Sequence, residues 1–92
     1  MTDATLSPEE AQRRVETVRR AFQAELLAKP NVVGVGVGLR QRGGRTTGEV
    51  ALVVLVRRKV PRHLLAPEEC IPAEIEGVPV DVQEVGEIRA QG

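Results

Sequence analysis

The sequence predicts an α+β fold in two layers, with one long N-terminal helix packed on a small three- to four-stranded sheet containing a β-hairpin. Two patterns carry this expectation: an apolar stripe at helical spacing behind a strong start signal, and a following run of valines at period two. The length of 92 residues suits a single small domain spanning 1–92. It divides into a helix over 7–29, a hairpin over 31–59, and a proline-rich segment with the final strands over 60–92.

The helix begins at Ser7-Pro8-Glu9-Glu10, where Ser7 can cap, Pro8 fits the first turn and Glu10 stands at the capping-box position. Ala11, Val15, Val18, Phe22 and Leu26 then recur at spacings of three and four, which lays one apolar stripe along the helix. Glu9–Arg13, Glu10–Arg14 and Glu16–Arg20 stand four apart with the acid first, the favourable order for ion pairs on the solvated face. Lys29-Pro30 ends the helix, because a residue preceding proline is pushed out of helical geometry.

In Val32 to Leu39, alternation places Val33, Val35, Val37 and Leu39 on one face and Gly34, Gly36 and Gly38 on the other. The bare glycine face is the expected seat of the helix, since missing side chains allow close backbone approach. Arg40 to Gly48, centred on Gly43-Gly44, reads as the turn. Val50 to Val56 is apolar on both faces and is expected to be a central strand.

Beyond it the prolines crowd together, so residues 60–72 are expected to wind, with one helical turn near His63-Leu64-Leu65. Ala73 to Glu76 reads as a short strand, Gly77 as part of a turn, and Val78 to Gln83 as a final strand. Val78, Val80 and Val82 face inward there, and Pro79 suggests a sheet edge.

Composition excludes more than it suggests. One Cys allows no internal disulfide, and one Cys with one His cannot make a Cys/His zinc site. A single aromatic, Phe22, gives no platform for stacking bases. No cofactor and no metal is expected. The first residues lack the pattern of a signal peptide, and the longest apolar run is far short of a membrane span, so a cytoplasmic protein without membrane contact is expected.

Gly34-Val35-Gly36-Val37-Gly38 invites a phosphate-loop reading, but such a motif needs its glycines between a strand and a helix. Here they alternate inside a strand, and packing is the favoured reading. Arg40, Arg42 and Arg45 surround the hairpin tip, while Arg57, Arg58, Lys59 and Arg62 follow the second strand. In a regular hairpin these are two separate patches. Each could contact anions or a partner, since arginine presents a planar fork of donors, although a solvated surface is the favoured reading. Nucleic acid is disfavoured further by a formal net charge of zero.

Charge is nonetheless uneven: residues 1–67 carry 12 basic and 6 acidic groups, whereas 68–92 carry 7 acidic groups against Arg89. Such regions can pair within one fold or between copies. His63 and Cys70 are the only candidates for conventional nucleophilic or acid–base chemistry, Ser7 being taken as a cap, and no catalytic residue is expected.

The blocks Asn31 to Gly38, Val53 to Val56, Lys59-Val60-Pro61, Ile71-Pro72, Ile75 to Val82 and Val85-Gly86-Glu87 follow one another in an order that resembles the segment preceding the protease domain in some bacterial trypsin-like serine peptidases and related uncharacterised proteins. That resemblance implies a leader-type domain associated with a peptidase, with no catalytic residue carried over. The expected function is therefore a non-catalytic interaction or assembly module, a homo-oligomer or an accessory to a protease-like partner. The alternatives are anion or nucleic-acid binding through the basic hairpin tip, and a peptidase-associated domain of unknown role.

Overall fold

A computed structural model of the protein describes residues 7–85. The fold is α+β: one helix, α1 (Pro8–Leu27), lies on a four-stranded mixed sheet. Its strands are β1 (Val32–Arg42), β2 (Arg45–Val56), β3 (Glu74–Ile75) and β4 (Val78–Glu84), in the order β1-β2-β4-β3. β1 and β2 are antiparallel, β2 and β4 parallel, and β3 and β4 antiparallel. Two 3₁₀ turns, Arg62–Leu64 and Pro67–Glu69, punctuate the crossover from β2 to β3.

The helix starts as its sequence dictates. Glu10 N–H donates to the Ser7 hydroxyl and Ser7 N–H donates to the Glu10 carboxylate, closing the capping box. The bond from Ser7 N–H, with a smaller contribution from the Ser7 side chain, holds the Glu10 carboxyl below its ordinary value. Of the expected ion pairs only Glu16–Arg20 forms among the described residues, at 3.8 Å, and Glu16 also pairs with Arg19. The hydrogen bond from Arg19 lowers the Glu16 carboxyl, and the same bond raises the Arg19 guanidinium. Arg14 does not reach Glu10, which is committed to the cap; its guanidinium donates to the Glu76 carbonyl instead, 3.0 Å away.

Val15, Val18 and Leu26 are buried together with Leu52, Val54, Val56, Ile75, Val78 and Val80, and Phe22, Val35 and Val37 pack against them. Register settles which face this is. Val35 lies opposite Val54 and Val37 opposite Leu52, so Val35 and Val37 of β1 and the even-numbered residues of β2 form the bed of the helix. The glycines lie opposite Leu55, Val53 and Ala51 and turn away from it. The expectation that the helix sits on the glycine face is therefore corrected. An apolar stripe gains free energy by covering apolar side chains, and bare glycine offers it little area to bury.

The turn is also tighter than expected. β1 and β2 run to Arg42 and Arg45, leaving only Gly43 and Gly44, with φ of +57° and +80°. Two consecutive positive φ values make the primed two-residue turn that suits strand twist, and glycine adopts them without strain. Glu76 and Gly77, with φ of +50° and +81°, turn β3 into β4 in the same way.

β2 is the central strand, as expected, with β1 on one side and β4 on the other. β4 is internal, which corrects the inference drawn from Pro79. Val80 N–H donates to the Ala73 carbonyl on the β3 side, so the N–H that proline lacks would point toward β2. The ladder with β2 begins only at Val80, one residue later, so nothing is lost.

Candidate functional site

The surface that stands out is the glycine face and the strand edge beside it. Among the described residues β1 is paired along one side only, and the sheet order puts no strand beyond it. Register shifts between Val32 and Gly34 and between Leu39 and Gln41 bracket a regular stretch, and the exposed hydrophobics of the strand, Val33 at 43% and Leu39 at 45%, flank it. Gly34, Gly36 and Gly38 floor an open groove of about 540 Å³, walled by Val53, Leu55, Gln41, Thr46 and Gln83.

The groove owes its shape to missing side chains. A Cβ on Gly36 would meet nothing within 4 Å, while one on Gly34 or Gly38 would meet Leu55 or Val53 at 3.2 Å. Past the second register shift the hairpin arm curls over this face, as a bulged strand bends. Gln41 N–H donates to the Asp81 carboxylate at 3.0 Å, and Gln83 donates to the same oxygen at 2.8 Å. Asp81 belongs to β4, two strands away from β1, so the arm crosses over β2 to reach it. Ala51 and Val53, on the face opposite the helix, are buried beneath.

The curl also rearranges the basic residues. Gly43 and Gly44 at the tip line one depression with Lys59, Asp81 and Glu84, so the tip is not at the far end of a straight hairpin from the exit of β2. The expectation of two separate patches held only for a regular ribbon. Arg40 is paired with Glu49 at 3.0 Å, and Arg42 and Arg45 are exposed register partners. Arg57 and Arg58 are exposed at the exit of β2, where Asn31, held at a φ of +78°, grips the Arg58 backbone through both its N–H and its carbonyl.

The ion pairs among the described residues, Glu16–Arg19, Glu16–Arg20 and Arg40–Glu49, all lie within residues 1–67. The acidic segment meets the basic one mainly through backbone groups: Lys29 donates to the Glu68 carbonyl, Arg14 to the Glu76 carbonyl, and Lys59 N–H to the Glu84 carboxylate. Glu87 and Arg89, counted in the charge asymmetry, and Gly86-Glu87 of the resemblance lie outside the described residues. Among the described residues, internal ion pairing therefore leaves most of the asymmetry unspent.

His63 is exposed on the first 3₁₀ turn and Cys70 is a half-buried free thiol after the second; no side-chain hydrogen bond joins them among the described residues. Among those residues no cluster of three His, Cys, Asp or Glu side chains could hold a metal ion, and no helix is long and apolar enough to cross a membrane. An exposed sheet edge is an expected contact surface for such a sequence, whereas the groove is not foreseen by sequence reasoning. The signal was present in the alternate glycines, but it was read as a seat for the helix.

The sequence model of one domain family, described as the NARROW LEAF 1 N-terminal domain, matches residues 12–85. Among curated relatives, Protein NARROW LEAF 1 of Oryza sativa subsp. japonica is 41% identical over 58 residues, which cover 63% of this chain and 10% of the rice protein. The chain thus spans about a tenth of the length of the relative it matches. These matches correct the resemblance to a segment preceding the protease domain of bacterial trypsin-like serine peptidases, and with it the expected peptidase association: the matching domain is the N-terminal domain of NARROW LEAF 1.

Proposed function

The chain belongs to the NARROW LEAF 1 N-terminal domain family, and on that premise we propose that it acts as a non-catalytic interaction module that pairs with a second copy of itself along β1. The observation that carries this reading is the free edge of an eleven-residue strand with glycines at alternate positions. An unpaired edge presents backbone donors and acceptors ready to extend a sheet. In an antiparallel pairing centred on Gly36, Val33 of one copy faces Leu39 of the other, and Gly34 faces Gly38. The exposed hydrophobics of the strand then cover each other, and no charged pair of like sign meets between them.

The unspent charge asymmetry favours the same partner, because the basic and acidic regions of two copies attract at long range. Sedimentation of the protein at low and high salt tests the reading, with a dimer expected. Val33→Lys/Leu39→Lys, both at exposed positions, is expected to dissociate it without loss of fold. Val33→Lys/Leu39→Glu, which sets opposite charges across the same pairs, is expected to restore it. A protein that stays monomeric at the highest attainable concentration would overturn self-association, and a dimer indifferent to both variants would overturn this register.

A second reading, anion binding at the hairpin tip, is supported by the register that sets Arg42 opposite Arg45 with neither guanidinium in an ion pair among the described residues. It calls for an affinity that falls steeply with salt and falls again in Arg42→Ala/Arg45→Ala. Titration with inorganic phosphate and with a short oligonucleotide separates this reading from the first.

A further inference from the structure

Beside the start of β1 and the exit of β2, the crossover leaves a cavity of about 320 Å³. Its walls are mainly apolar: Pro30, Val56, Val60, Leu65, Ile71 and Val82. That volume lies within the usual range for small-molecule sites. Arg58, Lys59, Glu69, Asn31 and Cys70 complete the lining.

These polar groups fall into two sets. Asn31 is used up on the Arg58 backbone, and the Glu69 carboxylate accepts a 2.8 Å hydrogen bond from Ala66 N–H in its own turn. The Arg58 guanidinium and the Lys59 ammonium have no hydrogen-bond or ion-pair partner among the described residues, and both residues are exposed. The walls are tied down independently of any occupant. Lys29 donates to the Glu68 carbonyl at 2.7 Å, Lys59 N–H to the Glu84 carboxylate at 3.0 Å, and Val85 N–H to the Val56 carbonyl at 2.9 Å.

A mainly apolar cleft bordered by two cationic residues without an ion-pair partner among the described residues suits a ligand with an apolar body and an anionic head. We propose that this cavity binds a free medium-chain alkyl carboxylate, its hydrocarbon against Val56, Leu65, Ile71 and Val82 and its carboxylate toward Arg58 and Lys59. The hydrocarbon contributes by leaving water, and the charge fixes its orientation. The site is independent of the β1 edge and stands or falls apart from the proposed self-association.

Octanoate is the probe, added to the full chain and followed by amide NMR, with octan-1-ol and octylamine as matched controls. Octanoate is expected to move the resonances of Val56, Val60, Leu65, Ile71 and Val82 together, and to slow alkylation of Cys70 by iodoacetamide. Octanol and octylamine are expected to bind about tenfold more weakly or not at all. Arg58→Ala/Lys59→Ala, both on the exposed rim, is expected to weaken octanoate to the level of octanol while leaving thermal unfolding unchanged. Equal binding of octanol and octanoate would overturn the role of the cations. Unmoved cavity resonances, or an unchanged Cys70 alkylation rate at saturating octanoate, would overturn the site.

Discussion

On the helix side of β1 and β2 the sheet presents Val35, Val37, Leu52 and Val54; on the other side the same strands present Gly34, Gly36, Gly38, Val53 and Leu55. The first face meets α1 and becomes the core. The second meets only the curled arm of its own hairpin and keeps an open groove. The two faces show that period-two alternation creates sidedness without fixing its use. Side-chain volume decides that: a rod with an apolar stripe takes the side with more to bury, and the side with nothing becomes the concave one.

The contrast is broken most severely at its apolar side. Leu52 is fully buried, so Leu52→Ala is expected to cost about 2–5 kcal/mol in chemical denaturation, whereas Leu55→Ala on the half-buried groove side should cost about 1 kcal/mol. Equal losses would mean that the groove is covered as fully as the core.

Next in size is the tether of the arm. Asp81→Ala removes the acceptor of Gln41 N–H and of Gln83, for an expected loss of about 1 kcal/mol. Faster hydrogen exchange at Gln41, with the amides of the core unchanged, would mark release of the curl alone.

Smaller effects of opposite sign are expected along the groove floor. Gly36→Ala has free space for its Cβ and should stabilise the strand by up to about 0.5–1 kcal/mol, because the unfolded chain loses freedom. Gly38→Ala presses on Val53 at 3.2 Å, a side chain stiff about its first torsion, and should destabilise.

The mildest expectation concerns acid. Glu10 and Glu16 are held below their ordinary value of 4.5 in the folded protein, so their contributions are present above that value and fade as pH falls through the lowered ones. In Glu10→Gln, thermal melts between neutral and acid pH should show a shallower acid loss, since the amide oxygen still accepts from Ser7 N–H but no longer titrates.

How much of this was legible in the chain follows from how local each cause is. Ser7, Pro8 and Glu10 stand within one turn, and the stripe from Ala11 to Leu26 repeats every turn, so the helix was readable from its own residues. β2 was readable because Val50 to Val56 is apolar at every position, which only a strand covered on both faces needs. The curl was not, because the bond that holds it joins Gln41 to Asp81, 40 residues apart, and neither residue type announces the other. Pro79 misleads for a related reason: its missing N–H matters only against the point where the ladder between β2 and β4 begins, which is set by register and not by neighbours. The basic residues stand out in the sequence by position, but their grouping depends on the curl. The cavity beside Arg58 depended on a crossover whose path the crowded prolines left open.

The mixed sheet has a kinetic consequence. β2 takes one partner, β1, across a two-residue turn and the other, β4, only after the chain has wound from Val56 to Val78. Closing the second connection costs more chain entropy, so the helix and hairpin are expected to form a first unit that β4 joins afterward. What docks last opens first. The amides of Asp81 and Gln83 report on that opening, and when β4 departs both the tether of the arm and one wall of the cavity leave with it.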